Sequence, residues 1–285
     1  EEIAANQLQV DSILATINRI AGATSFQGTK LLNGNYAYTL SGAATSAFDS
    51  MQVNTARLPD GQSVSVVVNV TNSATTGEVS YTGTASGGSV YAGAAAITLE
   101  VAGAEGTETL SFAGSSTVSS IATAVNNIKE VTGVSAAVVG SDLKFWSVNY
   151  GSDQFVSVRA VGANADTFTV TGGTSGKSFG TDAEVTVNGA AAEAKGKNIV
   201  YRTSNLDVEF DLSDDLNAGQ SKTFAITGGG ATFALGSKVS ESNKAAIGIG
   251  SMSTSSLGDG LVGYLSDLAS GKDKSLASGS LVAAQ

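Results

Sequence analysis

The sequence predicts an α+β protein, mostly β, in which helix-bearing ends flank a long β-rich insertion. Three observations predict it. Apolar residues in the first 21 positions follow a helical period. From Tyr36 onward the period changes to two. The 285 residues contain 35 glycines, one proline (Pro59) and only 6% aromatics, which suits many short strands joined by glycine turns.

Taken in order, Ile3, Val10 and Ile17 stand seven apart, with Ile13 and Ile20 in the intervening positions and Leu14 widening the stripe. Such a heptad seam asks for a partner helix, although an ordinary surface helix on a globular core has the same pattern. Gly22 is placed to end the helix. The next stretch, Thr-Ser-Phe-Gln-Gly, leads through Leu31 and Leu32 to Asn33-Gly34. Its lone ring, Phe26, should plug into whatever packs beside the helix.

Alternation then marks strands at Val64–Val70, Ile97–Val101, Thr109–Phe112, Val134–Val139, Leu143–Trp146, Phe155–Val161, Thr167–Thr171, Glu184–Val187, Leu206–Leu212 and Thr223–Thr227. Gly140-Ser141-Asp142 and Asn188-Gly189 are turn signals between them. One helix interrupts the run. In "STVSSIATAVNNIKEVTG", Val118, Ile121, Val125, Ile128 and Val131 recur at three and four, Ser116 or Thr117 offers an N-cap and Gly133 a stop. After Gly228-Gly229-Gly230 come an alternating "AAIGIGSM" and a helix-prone tail broken by glycines.

Composition also excludes. A net charge of −10 without clusters of Lys or Arg argues against nucleic acid. The absence of Cys and His removes disulfides, thiolate chemistry, the usual zinc ligands and every Ser-His arrangement. No apolar stretch reaches 18 residues, so no transmembrane helix is expected, and no signal peptide is visible. Glu1 starts inside a helical pattern without a cap, so the chain has the look of a trimmed one.

Motifs that could carry chemistry are weak. "GGTSGKS", residues 172–178, resembles a phosphate loop, but its first glycine falls one residue late and no helix pattern follows, which leaves a hairpin loop. Glu209, Asp211, Asp214 and Asp215 lack the calcium-loop frame and read as a solvated strand end. Asn69-Val70-Thr71 is a formal glycosylation acceptor inside a strand. No two carboxylates are singled out as an acid–base pair. No catalytic residue, cofactor or metal ligand is therefore expected.

Three segments share one resemblance. "DSILATINRIAGATSFQGTKLLNG" (11–34) resembles the N-terminal conserved region of bacterial flagellins. "AVNNIKEVTGVSAAVVGSDLKFWSVNYGSDQFVSV" (124–158) resembles the flagellin hook IN motif. "GGGATFALGSKVSESNKAAIGIGSMSTSSLG" (228–258) resembles the return into the flagellin C-terminal half. The resemblance implies a D1-like stem from residues 1–52 and 229–285, and outer domains from 53–228 with the IN-like block at about 96–165. It implies stem packing by Ile13, Ile17, Ile20, Phe26, Leu31 and Leu32, the last three sealing the loop against a helical bundle. It further implies a non-enzymatic filament subunit, extracellular, whose partners are other copies of itself, with Ser or Thr open to glycan decoration. The terminal D0 helices are missing from the pattern, so the fragment is expected to be monomeric. The rival expectations are a surface adhesin or polysaccharide-binding module, signalled by an aromatic groove around Trp146, Tyr150 and Tyr201, and a carboxylate glycosidase.

Overall fold

A computed structural model describes residues 2–44, 46–58, 62–86, 89–91, 95–162, 164, 168–234, 244–259 and 263–278. Strand accounts for 47% and helix for 17% of the described residues, so the fold is α+β and mostly β, as the alternation requires. The chain divides into two compact units. The first comprises residues 1–70, 185–193 and 198–285, and the second comprises 71–184 and 194–197. The expected domain limit at 53 falls inside a strand of the first unit, Phe48–Ala56, and the one at 228 coincides with the end of another, Ser221–Gly228.

In the first unit two sheets share an apolar core. One orders its strands Ala190–Ala191, Glu184–Val187, Val64–Asn72, Ser221–Gly228 and Thr39–Ser41, and the other contains Asn198–Arg202, Leu206–Leu212 and Phe48–Ala56. The period of two puts Val66, Val68, Val70, Val208, Phe210, Leu212, Phe224 and Ile226 on buried faces. Phe48 meets Phe210 and Phe224 edge-on, at centroid distances of 5.3 and 5.8 Å, and so ties one sheet to the other. The unit also carries helix α1, Glu2–Ala23, and the return segment, whose described part ends in two short 3-10 turns, Leu265–Leu268 and Leu276–Ser278. Helix α1 runs through Gly22 instead of being capped by it, and Thr24 closes the last turn with an N–H bond to Ile20 O at 2.9 Å.

The second unit packs helix α2, Val118–Asn127, on two antiparallel sheets. One orders Thr107–Phe112, Ile97–Gly103, Phe155–Val161 and Lys177–Phe179, and the other Val134–Val139, Asp142–Ser147 and Glu78–Thr82. Thr117 is the N-cap, its hydroxyl accepting from Ser120 N, and Val118, Ile121, Ala122 and Val125 are buried against Leu99, Val101, Leu143, Phe145, Val156 and Val158. The expected helix is interrupted. Ile128 leaves helical geometry (φ −110°, ψ 11°) before a last turn, α3, Lys129–Thr132, so Thr132 is buried and Val131 is 53% exposed. Gly133, at φ 71°, ends α3 in the left-handed conformation that glycine adopts without strain. Asn126 does more than sit on α2. Its amide donates to Ala136 O (2.8 Å) and accepts from Ala136 N (2.9 Å), pairing with the edge strand Val134–Val139 as a neighbouring strand would. Of the strand expected at Thr167–Thr171, Thr167 lies outside the described residues. The rest forms no strand: Phe168 stacks on Tyr81 (3.8 Å, 11°) and Thr171 makes one bridge to Ser80.

Candidate functional site

Helix α1 has two faces of opposite character. Gln7, Asp11, Leu14, Asn18 and Ala21 follow the i, i+4, i+7 spacing of a single helical stripe, and that stripe meets the return. Gln7 is buried; its amide donates to Leu268 O at 2.8 Å and accepts from Leu276 N at 2.8 Å. The Asp11 carboxylate accepts from Ser270 N at 2.9 Å and from the Ser270 hydroxyl. These bonds, led by the hydroxyl, hold the Asp11 carboxyl below the ordinary aspartate range. Asn18 accepts from Thr254 N at 2.9 Å and its amide reaches Thr254 Oγ1 at 3.0 Å. Leu14 and Ala21 supply the buried apolar contacts.

The stripe that looked like the seam lies beside this face. Ile3, Ile13 and Ile20 are each more than half exposed, while Val10 and Ile17 are half-buried. Only Leu14 of the apolar positions marked on the helix is fully buried. The physical reason is that the return offers α1 mainly backbone N–H and C=O groups, and these select amides and a carboxylate over aliphatic side chains. Phe26 is 64% exposed and does not enter a pocket among the described residues. It sits in a small hairpin, Ser25–Phe26 with Thr29–Lys30, whose turn residues Gln27 (φ 48°) and Gly28 (φ 81°) are both left-handed. Leu31 and Leu32 are half-buried, and Leu32 O accepts from Met252 N at 3.0 Å, joining the loop to the return through backbone.

The other singled-out residues assemble no chemistry. Residues 172–178 form a tight loop closed by paired Thr174–Lys177 bonds, with left-handed Gly173, Ser175 and Gly176. Asp211 accepts from Ser50 and Asn198, and Glu209 from Asn198, so both carboxylates serve the strand surface. Among the described residues no three His, Cys, Asp or Glu side chains converge on a metal position. A cavity of about 630 Å³ in the first unit, walled by Tyr38, Leu40, Met51, Val53, Met252 and Leu257, has Asp49 as the one charged side chain among its described lining residues. Trp146 and Tyr150 belong to the second unit and Tyr201 to the first, and Lys197 lies over the Tyr150 ring at 4.6 Å. No helix of the described residues is long and apolar enough to cross a membrane.

No protein family profile and no curated protein sequence matches the chain. Solved structures do. The D1-D2-D3 domains of the flagellar cap protein FliD from Escherichia coli align at 20% identity and a TM-score of 0.47, over 79% of this chain and 62% of that one. The D2-D3 domains of the same protein align at 20% identity and 0.47, over 67% of this chain and all of theirs. FliD from Bdellovibrio bacteriovorus aligns at 18% identity and 0.43, over 59% and 95%. The chain thus spans about 62% of the length of the first of these structures.

Proposed function

We propose that this chain is a structural segment of the bacterial flagellum, specifically of flagellin, acting outside the cell with other copies of itself as partners and with no catalytic step or cofactor. One observation carries the reading. A 22-residue helix in the segment that resembles the flagellin N-terminal region keeps Ile13 and Ile20 in water while its neighbouring stripe is docked. Leaving aliphatic side chains exposed at helical spacing costs solubility and gains nothing for a lone molecule. The pattern makes sense for an element that further helices cover on assembly, with Ile13, Ile17 and Ile20 packing there and Phe26 closing the end of the bundle. The order of the three flagellin-like blocks, and the placement of the hook-IN-like block wholly in the second unit, support the same reading.

A chimera tests it. With the N- and C-terminal helical segments of a bacterial flagellin joined to its two ends, the chain should form filaments visible by electron microscopy. Carrying only one of those segments, it should remain monomeric by light scattering. A folded two-ended chimera that stays monomeric overturns the proposal.

A further inference from the structure

The way α1 meets the return carries an inference that stands whether or not the flagellar reading holds. The docked stripe buries just two apolar side chains, Leu14 and Ala21. Apolar contact is non-directional, so two such residues would tolerate a slide of the return along the helix. The three polar side chains would not. Gln7 joins Leu268 and Leu276, Asp11 joins Ser270 twice, and Asn18 joins Thr254. Asn18 near the end of α1 meets Thr254, early in the return, while Asp11 and Gln7 nearer its start meet residues between Leu268 and Leu276, so the return runs broadly antiparallel to the helix.

Four of the partner groups are main-chain atoms, which cannot swing to follow a displaced side chain. A displacement of one helical turn, about 5.4 Å, would break every one of these bonds. Gln7 would keep only its amide bond to Asp11 within the helix, and its carbonyl oxygen, with the N–H and hydroxyl of the buried Thr254, would lose the partners they have here. No buried side-chain polar atom among the described residues is otherwise unsatisfied, so the cost has nowhere to be hidden. We infer that Gln7, Asp11 and Asn18 form a register lock: they are positioning residues that fix where the return sits along α1, and with it where the Val10, Ile13, Ile17 and Ile20 stripe is presented. The precedent in physics is the polar residue in an otherwise apolar helical interface, which specifies alignment at some expense of stability.

The absence of cysteine makes the test clean. Nitroxide labels at Thr16→Cys and Lys272→Cys, both exposed positions, report the helix–return distance by pulsed electron paramagnetic resonance. The otherwise unaltered chain should give one narrow distance. Gln7→Leu/Asn18→Leu, which keeps side-chain bulk and helix propensity, should add a second population displaced by about 5 Å, one helical turn. A single unchanged distance in that variant overturns the inference. So does complete loss of docking with α1 still helical by circular dichroism, since the three residues would then supply adhesion and not register. Asn18→Asp retains the oxygen that accepts from Thr254 N and should keep the original distance, where Asn18→Leu alone should broaden it. Equal behaviour of these two single variants overturns the lock even if the double variant fails to fold. The filament chimera reports on neither distance, so the two proposals fail separately.

Discussion

Helices α1 and α2 differ in what they do with their apolar residues. The ten-residue α2 places Val118, Ile121, Ala122 and Val125 in the core of its unit and exposes serine and threonine. The 22-residue α1 buries Gln7, Leu14 and Ala21 and exposes Ile3, Leu8, Ile13 and Ile20. The shorter helix completes its packing inside the chain. The longer one is held by hydrogen bonds and keeps its hydrophobic surface outside. Hydrophobic residues at helical spacing thus do not by themselves signal burial within the same molecule.

The largest effect expected from this contrast is in the two isoleucine sets. Ile121→Ala should destabilise the second unit by about 2–5 kcal/mol, because the side chain is fully enclosed and leaves a cavity. Ile20→Ala should change stability by no more than about 0.5 kcal/mol, as for surface sites without special contacts. Urea unfolding of both variants measures the difference, and equal losses would erase the distinction between the helices.

A smaller loss is expected from Asn126→Ala. It removes both bonds to Ala136 and the one from Ser135, leaving strand-edge groups short of partners, at about 1–3 kcal/mol. Amide hydrogen exchange should quicken at Ala136 before it does in Asp142–Ser147. Protection unchanged at Ala136 would mean that solvent replaces the asparagine at no cost.

The smallest effect separates the two helices by pH. The polar anchors of α1 include the Asp11 carboxylate, whereas Asn126, the anchor of α2, does not titrate. Bonds from Ser270 favour charged Asp11, so its folded value lies below the ordinary 3.8. The stability this contributes is present above 3.8 and is lost as the pH falls through the lowered value. Acidification should therefore loosen the return on α1 while α2 stays in place, as read by hydrogen exchange at Ser270 and Ile121. Asp11→Asn should remove the pH dependence at Ser270.

What the sequence disclosed follows the same division. Most of the longer strands of both units and the body of α2 were legible because their buried faces are apolar and periodic. Phe48–Ala56, Glu78–Thr82 and Asn198–Arg202 were not singled out, and Gly133 stops the short α3 and not α2. The docked face of α1 was not. Its Gln7, Asp11 and Asn18 have helical spacing, but hydrophobic periodicity has no means of marking a buried glutamine whose partners are backbone groups more than 200 residues away in the chain. A polar stripe at positions 7, 11 and 18 with Leu14 and Ala21 between them was the available signal. Val131 was misplaced for a local reason, the break at Ile128, which no spacing rule contains. Strand order was equally hidden: Val64–Asn72 lies between Glu184–Val187 and Ser221–Gly228, partners more than a hundred residues distant.

The connectivity of the second unit has a consequence for how such a chain can diversify. The backbone leaves the first unit along Val64–Asn72 and re-enters along Glu184–Val187, which are neighbours in one sheet, so the two junctions are about 4.8 Å apart, one strand spacing. A cassette spliced between such adjacent ends can grow or shrink at an entropic penalty that rises only logarithmically with its length. The short excursion 194–197 complicates the splice. Gly196, at φ 60°, donates to Asp182 at 2.7 Å, and a Cβ there would lie 2.5 Å from Tyr150 O. A replacement cassette would lose these contacts unless it came with a tip that matched it, so changes in 71–184 and in 194–197 are physically coupled.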